Sequence, residues 1–334
     1  MREWKGYSHG IDLGGWLSQC DHTKERYENF IVKDDIKRIS EWGLDHVRLP
    51  VDYEVADGAP EYIDRCLEWC REYGLNMVLD LHKTYGYSFD EGEGECGFFE
   101  SEEYQEKFYG IWEKLSERYK DVKEGLAFEL LNEVTKKEYS DAWNRILTEC
   151  IKRIRKTLPE IKIITGGYYN NSIEALEDLA MPYDENIIYT FHCYEPLIFT
   201  HQGAYWISTM DRAFRIPVDA SYAQLEEASG KNLPYVVEGF EGFDPDKSLG
   251  EEYFERLFAK AVRVAEERNV PLYCGEYGVI DLAAPEECLK WYSLISSVFN
   301  KYNIGRAAWS YKEMDFGFIG ERMEPYLKEL VSLL

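Results

Sequence analysis

Basic residues are scarce in this chain: 38 Lys and Arg stand against 63 Asp and Glu, for a formal net charge of −25. That imbalance argues against nucleic acid or an anionic membrane as a partner, because both call for clustered cations. It fits a neutral ligand and a solvated acidic surface. Long apolar runs are missing too. No stretch of about 18 apolar residues occurs, so no membrane-crossing helix is expected. The opening segment MREWKGYSHGIDLGG has no apolar core of the secretory kind. A cytoplasmic protein is expected, or a secreted one whose signal is gone. The eight cysteines include no C-x-x-C pair. Cys66 and Cys70 stand four apart without the Cys/His partners of a zinc site, so the thiols are expected to be free and buried, packing as small hydrophobes. No G-x-G-x-x-G turn follows the first strand, and there is no P-loop. Without a Gly/Ser linker or an internal repeat, residues 1–334 read as one domain with no attached binding module.

In place of these features the chain has a rhythm. Eight short apolar runs recur: YSHGIDLGG (7–15), HVRLPV (46–51), NMVLDLHK (76–83), LAFELLNE (126–133), IKIITGGYY (161–169), NIIYTFHCYE (186–195), PLYCGEYG (271–278) and GRAAWSYK (305–312). Runs this continuously apolar suit parallel strands covered on both faces. Segments of helical period separate them. Over 140–158, Trp143, Ile146, Leu147, Cys150, Ile151, Ile154 and Leu158 recur at spacings of three and four and form one stripe. Ser140 or Asp141 is the expected N-cap there, and Pro159 follows the end. Segments 33–43, 60–73, 102–120, 251–268, 286–303 and 322–333 are patterned similarly, and a short helix is expected near 172–180. Eight strands alternating with helices predict an α/β fold, a (β/α)8 TIM barrel, ahead of an open doubly wound sheet. Residues 197–249 break the rhythm after the sixth strand. Rich in aromatics and turn formers, they predict a long insertion that serves as a binding loop or lid near the active-site face.

In such a barrel the C-terminal ends of the strands meet at one mouth and carry the chemistry. Two glutamates close apolar runs: Glu133 in LAFELLNE and Glu276 in PLYCGE. Cleaving a bond between sugars takes two carboxyl groups flanking the scissile atom, one to protonate the leaving oxygen and one to attack or to activate water. Other strand ends bring Arg48, His82, Asn132, His192, Tyr194 and Trp309. Polar groups in apolar runs are costly unless paired. Each has a plainer reading as well. Glu133 could be a helix-entry carboxylate, Glu276 an ion-pair partner, His82 and His192 satisfied core histidines, Arg48 a counter-charge to interior acids, and Trp309 packing.

The motifs HVRLP, DLHK, LLNE, HCYEP and CGEYG, in this order, resemble glycoside hydrolase family 5. The resemblance runs from IDLGGWL at 11–17 to AAWSYK at 307–312, and the N-E and G-E-Y pair is its specific part. It implies a (β/α)8 barrel and hydrolysis with retention. Glu133 would be the general acid/base and Glu276 the nucleophile. Asn132 would hold the sugar 2-hydroxyl, with Arg48, His82, His192 and Tyr194 completing the polar shell and Trp309 serving as sugar platform. The implied substrate is β-linked glucan, first of all β-1,4 chains or oligosaccharides cut in endoglucanase fashion. Mannan-cleaving enzymes share the same shell, and IDLGGWL resembles the exo-acting β-1,3-glucanase branch. No cofactor or metal is implied, and a monomer is expected.

Sugar rings present C–H faces that stack on aromatic rings. Trp16, Tyr85, Tyr87, Phe89, Tyr168, Tyr169, Trp206 and Trp309 fall at strand ends or in the insertion. Trp206 is the one least explained by core packing and is a candidate for an additional subsite. EGEGEC (91–96) alternates carboxylates with glycines, but lacks the ligand spacing of a calcium loop and is expected to be solvated. Two other classes remain in view: a barrel that binds glycans without cutting them, and a barrel enzyme that uses its carboxylates on a metal.

Overall fold

The computed structural model describes residues 1–334, the side chain of Glu91 excepted. Eight parallel strands close into a barrel in sequence order. They are β1 (His9–Asp12), β2 (His46–Asp52), β3 (Asn76–Lys83), β4 (Leu126–Glu129), β5 (Lys162–Thr165), β6 (Ile187–Cys193), β7 (Leu272–Tyr277) and β8 (Gly305–Ala308). Closure is direct, with Gly10 of β1 beside Ala307 of β8. Strands β2, β6 and β7 are buried along their whole length, as expected for strands with side chains in the barrel on one face and under helices on the other.

The helix patterning finds its place around this barrel. Helices cover Lys33–Glu41, Glu61–Glu72, Glu102–Arg118, Ser140–Ile154, Glu251–Arg268, Pro285–Tyr302 and Leu327–Leu333, and a 3-10 turn covers Ile173–Asp178. In Ser140–Ile154 the buried residues are Trp143, Ile146, Leu147, Cys150, Ile151 and Ile154, the predicted stripe. The expected cap at Ser140 or Asp141 is absent. A 3-10 turn, Lys137–Tyr139, runs into the helix, so the cap position falls on Tyr139 in helical geometry with no side-chain bond. Short helices at Lys24–Asn29 and Tyr53–Gly58 were not expected from the pattern.

The N-terminal face is plugged. Trp4 and Tyr7 stack at 4.0 Å and pack with Val78, Ala127, Ile164, Ile188, Tyr273 and Ala307. The opposite face stays open. There the ladders slip, between Phe191 and His192 on β6 and between Cys274 and Tyr277 on β7. Such bulges re-aim side chains at barrel rims, and here they put His192 and Glu276 in register as partners.

Residues 197–249 are not simply a loop. They contain a helical turn, Leu197–Thr200, and a helix, Tyr222–Asn232. A capping box starts the longer helix: Gln224 N donates to Ser221 Oγ (3.3 Å) and Ser221 N to Gln224 Oε1 (2.9 Å). Glu238 ties the later part of the insertion to its first turn by accepting from the amides of Leu197 (2.8 Å) and Ile198 (2.7 Å). Six of the cysteines are buried free thiols, while Cys20 is half-buried and Cys96 exposed. In the 91–96 segment, Glu93 pairs with Lys83 at 3.3 Å, and Glu95 accepts from Tyr53 Oη (3.0 Å) and Gly86 N (2.8 Å). These acids pin the loop rather than merely solvating it; the side chain of Glu91 lies outside the described residues.

Candidate active site

Arg48 organises the mouth of the barrel. Fully buried on β2, it has no solvent to satisfy five donors, so each must find an acceptor inside the barrel. Nε and Nη2 form a fork on Glu129 of β4 (2.7 and 3.2 Å). Nη1 donates to Asp12 of β1 (3.0 Å) and to Glu276 of β7 (2.9 Å). Nη2 also reaches Asp80 of β3 (3.1 Å) and Asn132 Oδ1 (2.8 Å). Four carboxyl groups thus share one guanidinium. Burial outweighs Arg48 and pushes Asp80 up to about 7, and it raises Asp12 and Glu129 as well. Asp12 Oδ2 and Asp80 Oδ1 have no hydrogen-bond partner.

Glu276 stands above this layer. Besides Arg48 it accepts from Tyr194 Oη at 2.8 Å. Burial, with Glu276 adjacent, holds the Tyr194 phenol well above its ordinary range, so it stays a donor. Glu133 lies opposite, and an oxygen of each glutamate falls within 4.8 Å of the other and of a His192 nitrogen. His192 Nδ1 is 2.7 Å from Glu133 Oε1 and 3.6 Å from Glu276 Oε2. Burial raises the proton affinity of Glu133, against the opposing pull of the Asn170 amide, His82 and Arg48. Burial also depresses His192 to about 4, so the ring is neutral near pH 7.

The tautomers of both histidines follow from their asparagine neighbours. Asn132 Oδ1 accepts from Arg48, so its Nδ2 faces His82 Nε2 (3.5 Å), and His82 Nδ1–H points at Asp80 (2.7 Å). Asn171 Nδ2 is fixed by the carbonyl of Asn132 (2.9 Å) and faces His192 Nε2 (3.3 Å), which leaves the proton on Nδ1, toward Glu133. Trp309 follows β8 and stacks on His82 with ring centroids 5.8 Å apart and planes 4° apart.

The cavity over these groups measures about 640 Å³. Of the nine residues singled out from the sequence, eight line it: His82, Asn132, Glu133, His192, Tyr194, Trp206, Glu276 and Trp309. Arg48 does not. It lies beneath the floor and touches the cavity only through Glu276 and Asn132, because its charge is consumed by the buried acids. Glu133 is not on a strand either. β4 ends at Glu129, and the chain runs on along the rim, bonded through Asn132 N to Leu81 O (3.0 Å). Among the aromatic candidates, Phe89 and Tyr169 line the cavity, while Trp16 and Tyr168 are core residues and Tyr87 donates to the Glu133 carbonyl (2.7 Å). Sequence reasoning missed Asp12, Asp80 and Glu129 below the site, and Asn170, His201, Tyr205 and Phe316 around it. The first three sit inside apolar strands with no spacing signal. Asn170 was signalled by GGYYNN, whose Gly and Asn residues favour left-handed turns.

A model of the family described as Cellulase (glycosyl hydrolase family 5) matches residues 4–315. The chain belongs to glycosyl hydrolase family 5. This family 5 chain is therefore a glycoside hydrolase. It is 45% identical to cellodextrinase A of Ruminococcus flavefaciens over 314 residues, 92% of this chain and 86% of that one. It is 38% identical to endoglucanase C of Acetivibrio thermocellus, across 98% of both. Among solved structures, a cellulose synthase subunit of Clostridioides difficile superposes with a TM-score of 0.77 at 26% identity, covering 98% of this chain and 99% of the other.

Two clusters among the described residues have donor sets of metal-binding type. In the family 5 site, the Glu133–His192–Glu276 group is already engaged by Asn170, Arg48 and Tyr194. In the other, His22–Asp52–Glu54, the ammonium of Lys83 takes the cation's place at 3.0 Å from Glu54 and 3.6 Å from Asp52. Neither is a ready cage for a resident ion. No helix is long and apolar enough to cross a membrane.

Proposed function

We propose that this chain hydrolyses β-linked glucan, foremost β-1,4 chains or their oligosaccharides, by double displacement with retention of configuration. The carrying observation is the closeness of the two glutamates, whose nearest ligand oxygens fall within 4.8 Å. Retaining enzymes set their carboxyl groups about 5–5.5 Å apart, whereas inverting ones leave about 6.5–9.5 Å for a water. The names of the relatives, a cellodextrinase and an endoglucanase, support the substrate class.

In this reading Glu276 is the nucleophile. Arg48 and Tyr194 hold its charged oxygens, so it can attack the anomeric carbon while Glu133 gives its proton to the leaving oxygen. The resulting ester removes the charge of Glu276. Glu133, now a carboxylate, takes a proton from the water that attacks the same carbon and frees Glu276. Trp309 offers a flat face to the sugar at the cleavage point, and Asn132 and His82 offer polar edges to its hydroxyls. Residues 1–334 act as one catalytic domain, a monomer without a cofactor, and the 197–249 insertion builds one wall of the cleft.

Products formed from cellotetraose, followed by NMR, test this reading. The β-anomer is expected first, and initial release of the α-anomer overturns retention. Glu276→Ala is expected to abolish turnover. Glu133→Ala should cost about 10²–10⁴-fold on a poor leaving group; on an activated aryl cellobioside, which departs without protonation, azide should restore turnover by attacking the glycosyl-enzyme and give the β-glycosyl azide. Parallel assays on β-1,3-glucan and mannan oligosaccharides test the linkage, and unchanged rates with a chelator are expected.

A further inference from the structure

The turn after β5 grips Glu133 from both sides. Tyr169, Asn170 and Asn171 all have left-handed backbones, with φ of 50°, 57° and 56°. For L-residues that conformation is unfavourable, least so for Asn. The turn is held open by specific bonds. Asn170 N donates to the carbonyl of Val134 (3.0 Å), and Asn171 Nδ2 donates to that of Asn132 (2.9 Å), the two residues that flank Glu133. Asn171 also packs on Gly166, where a Cβ would fall 2.0 Å from its Oδ1. Its second amide hydrogen faces His192 Nε2. Asn170 Nδ2, in turn, donates to Glu133 Oε2 at 2.6 Å.

We propose that Asn170 and Asn171 are positioning residues that fix the plane of the Glu133 carboxyl group and so aim its transferable proton at the glycosidic oxygen. Asn171 keeps the His192 proton on Nδ1, and that N–H occupies Glu133 Oε1. The Asn170 amide occupies Oε2 in the same way, so the two N–H donors fix the carboxyl plane between them and with it the aim of the acid proton. In the first step this proton passes from the Glu133 carboxyl group to the glycosidic oxygen. The electron pair of the breaking C–O bond stays on that oxygen as the bond from Glu276 to the anomeric carbon forms. Other charged or titratable groups facing Glu133 are Glu276 from β7, His82 from β3, Arg48 from β2 and Tyr194 after β6. None of them donates to Oε2.

The proposal rests on Glu133 being the acid/base, and the azide rescue of Glu133→Ala tests that separately. Asn170→Gly and Asn171→Gly are the informative variants, because glycine accepts the left-handed backbone and only the amide is lost. We compare kcat/KM on cellotetraose, a poor leaving group, with kcat/KM on 2,4-dinitrophenyl cellobioside, which departs without protonation. Both variants are expected to lose about tenfold or more on the first relative to the second. In Asn170→Gly the alkaline limb of kcat/KM should rise by about one unit or less, since a donor to the carboxylate has gone. Asn170→Asp, which puts a like charge beside Oε2, should move that limb up further and serves if a glycine variant does not fold. Equal losses on both substrates with an unmoved limb would overturn the proposal while leaving the role of Glu133 intact. Failure of the azide rescue would sink both.

Discussion

Asp80 shows how a single buried side chain links stability to pH. It is fully buried, it accepts from His82 Nδ1 at 2.7 Å, and burial holds its proton affinity at about 7 despite Arg48. A carboxyl group raised in the folded state binds its proton more tightly there than in the unfolded chain, where about 3.9 is usual. Its contribution is therefore fully present below pH ~4 and is lost as pH rises toward 7. Asp80→Asn removes that dependence. The penalty of the substitution, measured by urea unfolding, should be largest near pH 4 and shrink by up to a few kcal/mol near pH 7, at about 1.4 kcal/mol per unit. A penalty constant across that range would mean that Asp80 is ionised throughout. The four acids on Arg48 also explain why Arg48 reads ambiguously as a residue: it balances interior acids and, in doing so, aims a donor at Glu276.

Two elements shape the cleft. The segment after β1 brings Gly14, where a Cβ would fall 2.7 Å from the Trp309 ring. Gly14 thus leaves room for the ring to lie parallel to His82. Gly14→Ala is expected to push the ring out of that stack and reduce kcat/KM about tenfold while the barrel stays folded, a loss of roughly 1.4 kcal/mol in transition-state binding. Unchanged kinetics would show that the ring has slack. The insertion presents Trp206, which is 43% exposed and packs edge-on to His201 at 5.9 Å and beside Phe316. We assign it to a subsite beyond the point of cleavage. Trp206→Ala should raise KM for long oligosaccharides more than for cellobiosides, and an equal effect on both would remove it from the binding surface. The helix within this insertion was legible after all: S-Y-A-Q at 221–224 is a capping box. Its mean apolar stripe is weak, which is why pattern alone passed over it.

The charge of −25 acts at the scale of the whole molecule. A neutral oligosaccharide feels little of it, whereas a carboxymethylated glucan is repelled. Rates on the charged polymer should therefore climb with added salt, as the screening length falls from about 30 Å at 0.01 M to about 10 Å at 0.1 M. Rates on cello-oligosaccharides should stay level, and a parallel rise in both would point to an effect on the enzyme itself.

The sequence by itself determined the barrel. Continuous apolar runs force strands covered on two faces, and amphipathic stripes of period 3.6 force helices onto one of those faces. It also foretold the place of Glu133, Glu276 and most of the polar ring at the barrel mouth, because charged and polar residues at the ends of such runs have only that mouth to occupy. Tertiary structure alone decided the rest. Strand ends shifted by several residues at β4, β5 and β8, since hydrogen bonding at the rim passes to neighbouring strands and turns. Arg48 went under the floor, drawn by Asp12, Asp80 and Glu129, each from a different strand. Which nitrogen of His192 carries a proton depends on an asparagine 21 residues away. Periodicity records which face of an element is buried; it does not record which charges from separate elements meet once the barrel closes.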